Sequence, residues 1–61
     1  MAKLLAAERQ NKIVELLEEN GSFKMAELAE MLEVSKETIR RDLNYLHSIG
    51  AVTKSHGGAI A

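Results

Sequence analysis

A chain of 61 residues, 46% hydrophobic and 28% charged with a formal net charge of −1, makes one domain at most. Folding at this length buries only about 60% of the surface of the unfolded chain, and the lack of cysteine with only two histidines leaves out a disulfide or zinc scaffold. No apolar run approaches the roughly 18 residues that cross a bilayer, and Glu8 and Arg9 interrupt the N-terminal segment before a signal-peptide hydrophobic region can form, so a soluble, cytoplasmic domain is expected.

The charge is unevenly placed. Residues 1–33 carry four basic and seven acidic side chains, a net −3, while residues 34–61 set Lys36, Arg40, Arg41 and Lys54 against Glu37 and Asp42, a net +2. A nucleic-acid binder usually has a basic excess overall. Here the division orients one half toward a polyanion and predicts a weak non-specific grip.

In chain order, the first helical pattern runs from about Leu4 to Glu19. Ile13, Leu16 and Leu17 take the inward spacing, with Ala6 and either Leu5 or Gln10 on the same side; Lys12, Glu15, Glu18 and Glu19 belong to solvent. Asn20-Gly21 ends it. Ser22-Phe23-Lys24 is long enough for one extended rung, and Phe23 is expected to plug the core, since a lone phenylalanine makes no base-stacking platform. A second helix follows from Met25 or Ala26 to Leu32, burying Leu28, Ala29 and Leu32, with Glu27, Glu30 and Glu33 outside. Glu33-Val34-Ser35 forms the turn, with Val34 as an apolar pin.

The third helix, residues 36–49, is the most informative element. At about 100° per residue, Ile39, Leu43 and Leu46 fall on one narrow stripe, and Lys36, Glu37, Arg40, Arg41 and Asn44 lie on the opposite side. Ser35 stands where its hydroxyl caps the first turn, and Gly50 where a left-handed residue ends the last. Beyond it, Ala51-Val52-Thr53-Lys54 and Ala59-Ile60-Ala61 favour strands around a Ser55-His56-Gly57-Gly58 tip. The order helix, rung, helix, turn, helix, hairpin predicts a mainly α fold with a small β-hairpin, a winged helix-turn-helix of three helices plus a wing. The whole of 1–61 forms one domain, with the helix-turn-helix unit at about 23–49 and the wing at about 51–61.

A B-DNA major groove about 12 Å wide admits one helix, and its base edges present distinguishable donors and acceptors. Arginine forks onto guanine, asparagine onto adenine, and glutamate accepts from cytosine. Lys36, Glu37, Arg40, Arg41 and Asn44 supply that vocabulary, while Ser35 and Thr38 bring hydroxyls to a helix N-terminus suited to phosphate. At the wing, Lys54 and His56 flank a two-glycine tip that lets backbone approach a phosphate ribbon. Two bland readings compete: a solvated amphipathic helix with an ordinary hairpin, and a winged-helix module that binds protein rather than DNA. The rivals separate on salt, because only a DNA reader loses affinity steeply as salt rises.

Asp42 is the odd acid of the basic segment. Facing DNA it would repel phosphate, so it is expected to turn inward and pair with Arg9, with Arg40 and Arg41 less well spaced. Catalysis has little support. His47 and His56 have no metal-ligand spacing, Ser35, Ser48 and Ser55 have no evident base, and the glutamate rows read as solvated faces. No cofactor and no metal are expected.

Arg9, Ile13 and Leu17, the run Ser35, Thr38, Ile39, Arg40, Arg41, Asp42, Leu43, and the close Lys54-Ser55-His56-Gly57-Gly58-Ala59 together resemble the N-terminal DNA-binding domain of DeoR-type bacterial transcription regulators. The resemblance covers about Arg9 to Ala59. It implies an operator-binding regulator, usually a repressor and sometimes an activator, of a sugar or nucleoside catabolism operon, working at the nucleoid in the cytoplasm. It further implies a C-terminal domain in the intact protein that binds a phosphorylated sugar and drives homo-oligomerisation. Carried over by position, Ser35, Thr38, Arg40 and Arg41 lie on the DNA-facing helix, and Lys36, Glu37 and Asn44 occupy positions suited to discriminating sequence. Arg40 is the expected base contact; Ser35, Thr38, Arg41, Lys54 and His56 are expected to hold phosphates.

Overall fold

The computed structural model describes residues 5–61. Its elements are α1 (Ala6–Asn20), β1 (Ser22–Lys24), α2 (Met25–Leu32), α3 (Lys36–Ser48), β2 (Thr53–Ser55) and β3 (Gly58–Ile60). Two helices open on the same device: a glutamate three residues in accepts the N–H of the cap residue, Glu8 from Leu5 at 3.0 Å and Glu27 from Lys24 at 2.8 Å. A negative charge there also complements the helix dipole.

The three helices pack around Ile13 and Leu17 of α1, Leu28 and Ala29 of α2, and Ile39, Leu43 and Leu46 of α3, with Val52 and Ala59 closing the core from the wing side. The stripe expected on α3 is therefore the buried one. On α1 the expectation holds for Ile13 and Leu17, while Leu16 is half-buried. Two residues differ: Ala6 is exposed and Leu5 is 72% exposed. Leu5 is the extended cap residue of α1, and inward contact begins only with the half-buried Arg9 and Gln10, so the first turn overhangs the core. The expected start at Leu4 lies outside the described residues.

Both helix ends that matter for function close in the same pattern. At α2, Val34 N–H donates to Ala29 C=O (3.0 Å) and Glu33 N–H to Glu30 C=O (3.3 Å), with Glu33 held left-handed at φ 58°. At α3, Ala51 N–H donates to Leu46 C=O (2.9 Å) and Gly50 N–H to His47 C=O (3.1 Å), with Gly50 at φ 78°. The half-buried Val34 pins the first turn against the core, and the half-buried Phe23 packs on the same cluster from β1.

The sheet is larger than the hairpin expected. The rung Ser22–Lys24 joins it, giving three antiparallel strands in the order β1-β3-β2, with Phe23 opposite Ala59 and Lys54 opposite Ala59 on the other side. The central strand is thus the last in the chain. The strands are also shorter than expected: Ala51 and Val52 remain in the loop, Ala61 follows the end of β3, and only His56 and Gly57 form the tip.

The glycine pair divides its labour in a way the sequence reading did not anticipate. Gly57 takes φ 78° in the turn and faces open space. Gly58 is buried in β3, where an added Cβ would sit 2.2 Å from the Phe23 carbonyl oxygen. Only one glycine is therefore available to approach a phosphate; the other is needed for β1 and β3 to come together.

Candidate nucleic-acid interface

Ser35 starts the site. Its hydroxyl accepts the Thr38 backbone N–H at 3.1 Å and lies 3.0 Å from the Thr38 hydroxyl, which fixes the first turn of α3 and leaves Ser35 on the surface beside that turn. From there Lys36, Glu37, Arg40 and Arg41 project from the exposed face, and Asn44 follows half-buried. The Arg40 and Arg41 side chains are 50% and 76% exposed, so neither guanidinium is tucked against α1 or covered by the wing.

The angular setting of that face depends on Asp42. It is 3% exposed and accepts from both Arg9 Nε and Arg9 Nη2, the latter at 3.0 Å, and from Gln10 Nε2 at 3.1 Å. These bonds cross from α1 to α3 and leave no described buried side-chain polar atom without a partner. The hydrogen-bonded carboxylate raises the Arg9 guanidinium above its ordinary pKa. The expected inward pairing of Asp42 with Arg9 is present, and Gln10 adds a third bond.

On the outer face, Arg40 donates through Nε (3.0 Å) and Nη2 to the two oxygens of Glu37, and Arg41 Nε lies 3.4 Å from the same carboxylate. These guanidinium groups, Arg40 first, hold the Glu37 carboxyl below the usual carboxylate range, and the pairing raises Arg40 in turn.

The wing is tied to α3 and to α2. Lys54 Nζ donates to Asn44 Oδ1, and the Lys54 backbone N–H donates to His47 Nδ1 at 3.3 Å. The Gly57 carbonyl accepts the Met25 N–H at 2.8 Å, anchoring the tip to the start of α2. Between α3 and the wing a cleft of about 200 Å³ opens, lined by Met25, Arg40, Leu43, Lys54, Ser55, Gly57 and Gly58. His56 is exposed at the tip. The structure therefore brings Arg40 and Lys54 onto one concave side, with Asn44 bonded to Lys54, and sets Ser35, Lys36, Glu37, Thr38 and Arg41 toward the N-terminal end of α3.

Sequence reasoning missed His47, weighing it only as a metal ligand. The helical rotation of about 100° per residue sets it between Lys36 and Arg40, so the signal was present. The Lys54–Asn44 bond had no such signal, because it depends on the path of the wing.

The pattern of the DeoR-like helix-turn-helix domain matches residues 9–61. The chain is 49% identical over 53 residues to the HTH-type transcriptional regulator GolR of Listeria innocua, covering 87% of this chain and 21% of that protein. It is 49% identical over 55 residues to the L-fucose operon activator of Escherichia coli, covering 90% of this chain and 23% of that protein. Against the glycerol-3-phosphate regulon repressor of Haemophilus influenzae it is 45% identical over 51 residues, 84% of this chain and 20% of that protein. The chain thus spans about a fifth of the length of each of these relatives. No solved structure gives a significant match. Among the described residues no helix is long and apolar enough to cross a membrane. With its three helices, its wing and a match to the family over nearly its whole length, the chain belongs to the DeoR family, as a DNA-binding winged helix-turn-helix domain of a transcription regulator.

Proposed function

We propose that α3 lies in the major groove of an operator while the wing touches the adjacent backbone or minor groove. Arg40 reads a base, with Lys36, Glu37 and Asn44 helping to specify, and Ser35, Thr38, Arg41, Lys54 and His56 hold phosphates. Regulation follows from occupying the operator, with no chemistry performed. The observation that supports this most is the outward row on α3: its apolar stripe is fully spent on the core, and the opposite side presents arginine, lysine and asparagine beside a wing.

One relative named above is an activator of an L-fucose operon and another a repressor of a glycerol-3-phosphate regulon, which supports a catabolic operon, of sugar or nucleoside use, as the target; repression is the mode proposed here. In the intact regulator, a C-terminal domain binding a phosphorylated sugar would join two or more copies, so that paired half-sites supply the affinity one domain lacks. Such a regulator acts in the cytoplasm, at the nucleoid.

The test is a duplex enriched from a randomised pool by this domain. Arg40→Ala is expected to cost about 1–3 kcal/mol on that site and to relax one base preference. Unchanged affinity would remove Arg40 from the interface.

A further inference from the structure

The outer face of α3 carries one carboxylate, since its other acid, Asp42, is buried on Arg9. That one carboxylate stands one turn before both arginines and touches each of them. All three side chains are half or more exposed, and an ion pair in that setting is weak and readily exchanged. Glu37 also complements the helix dipole from the first turn of α3, but its contact with two arginines at once places it within the proposed reading surface.

We propose that Glu37 is a specificity-determining residue that restrains Arg40 and Arg41 and releases them only where a base amino group takes their place on its carboxylate. On a duplex without such a group, phosphates and guanines compete for the arginines, and the carboxylate is left facing a polyanion. Where a cytosine presents its N4 amino group in the major groove, the carboxylate accepts from it, and it is not left unpaired when both arginines go to DNA. Discrimination then arises from the penalty on wrong sites as much as from contacts on the right one. Glu37 is ionised at neutral pH as any exposed glutamate is, and Arg40 shifts its carboxyl further down, so the restraint is present at neutral pH. This inference rests on α3 being the DNA-reading helix.

The experiment measures binding of the 61-residue chain, as wild type, Glu37→Gln and Glu37→Ala, by fluorescence anisotropy. The probes are a random-sequence duplex and a duplex enriched for wild-type binding, each from about 50 to 200 mM salt. Both variants are expected to bind the random duplex several-fold more tightly at the lowest salt. Their log K against log salt should steepen by about 0.9, the value of one further phosphate contact, so the gain shrinks about 3.5-fold across that range. The preference for the enriched duplex should narrow accordingly. Melting curves confirm that both variants fold, the position being exposed. Random-duplex affinity unchanged or weakened in either variant overturns the proposal; a gain in Glu37→Gln alone does so too, because it would come from the new amide. A wild type with no salt-dependent binding to either duplex would instead overturn the reading of α3 itself.

Discussion

A carboxylate 3% exposed in a 61-residue domain has to be matched, and Asp42 is matched by Arg9 and Gln10 across two helices. Removing it leaves Arg9 largely buried and unpaired, which costs more than the pair itself contributes. Asp42→Ala is therefore expected to destabilise by about 2 kcal/mol, lowering Tm by on the order of 10 °C. A melting curve superimposable on wild type would contradict the pairing. This residue was legible because an acid in the basic segment, at the edge of the apolar stripe of α3, is better placed to turn inward than to face DNA. Glu37 was legible as a surface group but not as the partner of two arginines at once. Its carboxyl is held below the ordinary carboxylate range, so its contribution to stability is complete above that range and is lost as pH falls through the lowered value. The stability difference between wild type and Glu37→Gln should be flat from about pH 5 to 8 and shrink on acidification below about 4. Denaturant titrations across pH check it; a difference that changes near pH 7 would show another group at work.

Helices announced themselves through spacing, and strands did not. Ile39, Leu43 and Leu46 define a stripe that cannot be satisfied by a strand, and α3 ends within one residue of its expected limit. Ser22-Phe23-Lys24 has no period to read, and its place at the sheet edge is decided by β3, 36 residues later in register at Phe23↔Ala59. The same pairing explains Gly58, which was read as part of the hairpin tip. Gly58→Ala forces a Cβ into the Phe23 carbonyl and should cost about 3 kcal/mol, with loss of the sheet. Gly57→Ala meets open space and only the left-handed φ, so about 1 kcal/mol is expected. Unfolding free energies for the two variants check the order; equal costs would place both glycines in the turn.

Taken whole, the molecule separates its charge: α1 and α2 are acidic, and α3 with the wing is basic. A net charge of −1 therefore does not conflict with a polyanionic partner, but it keeps the non-specific grip small. The small core serves one purpose, holding α3 at a fixed rotation, through Ile39 and Leu43 on its apolar side and Asp42 beside them. That rotation was legible. The bracing of the wing against it, through Lys54 to Asn44 and His47 and through Gly57 to Met25, was not: the first two bonds depend on the path of the aperiodic loop after α3, and the third joins residues far apart in the chain. The most direct test is amide chemical-shift mapping as duplex DNA is added to the domain. Shifts concentrated on residues 35–45 and 54–57 are the expected result, with α1 and the outer side of α2 silent. Shifts confined to α1 and α2, or none at about 50 mM salt, would contradict an interface built on α3.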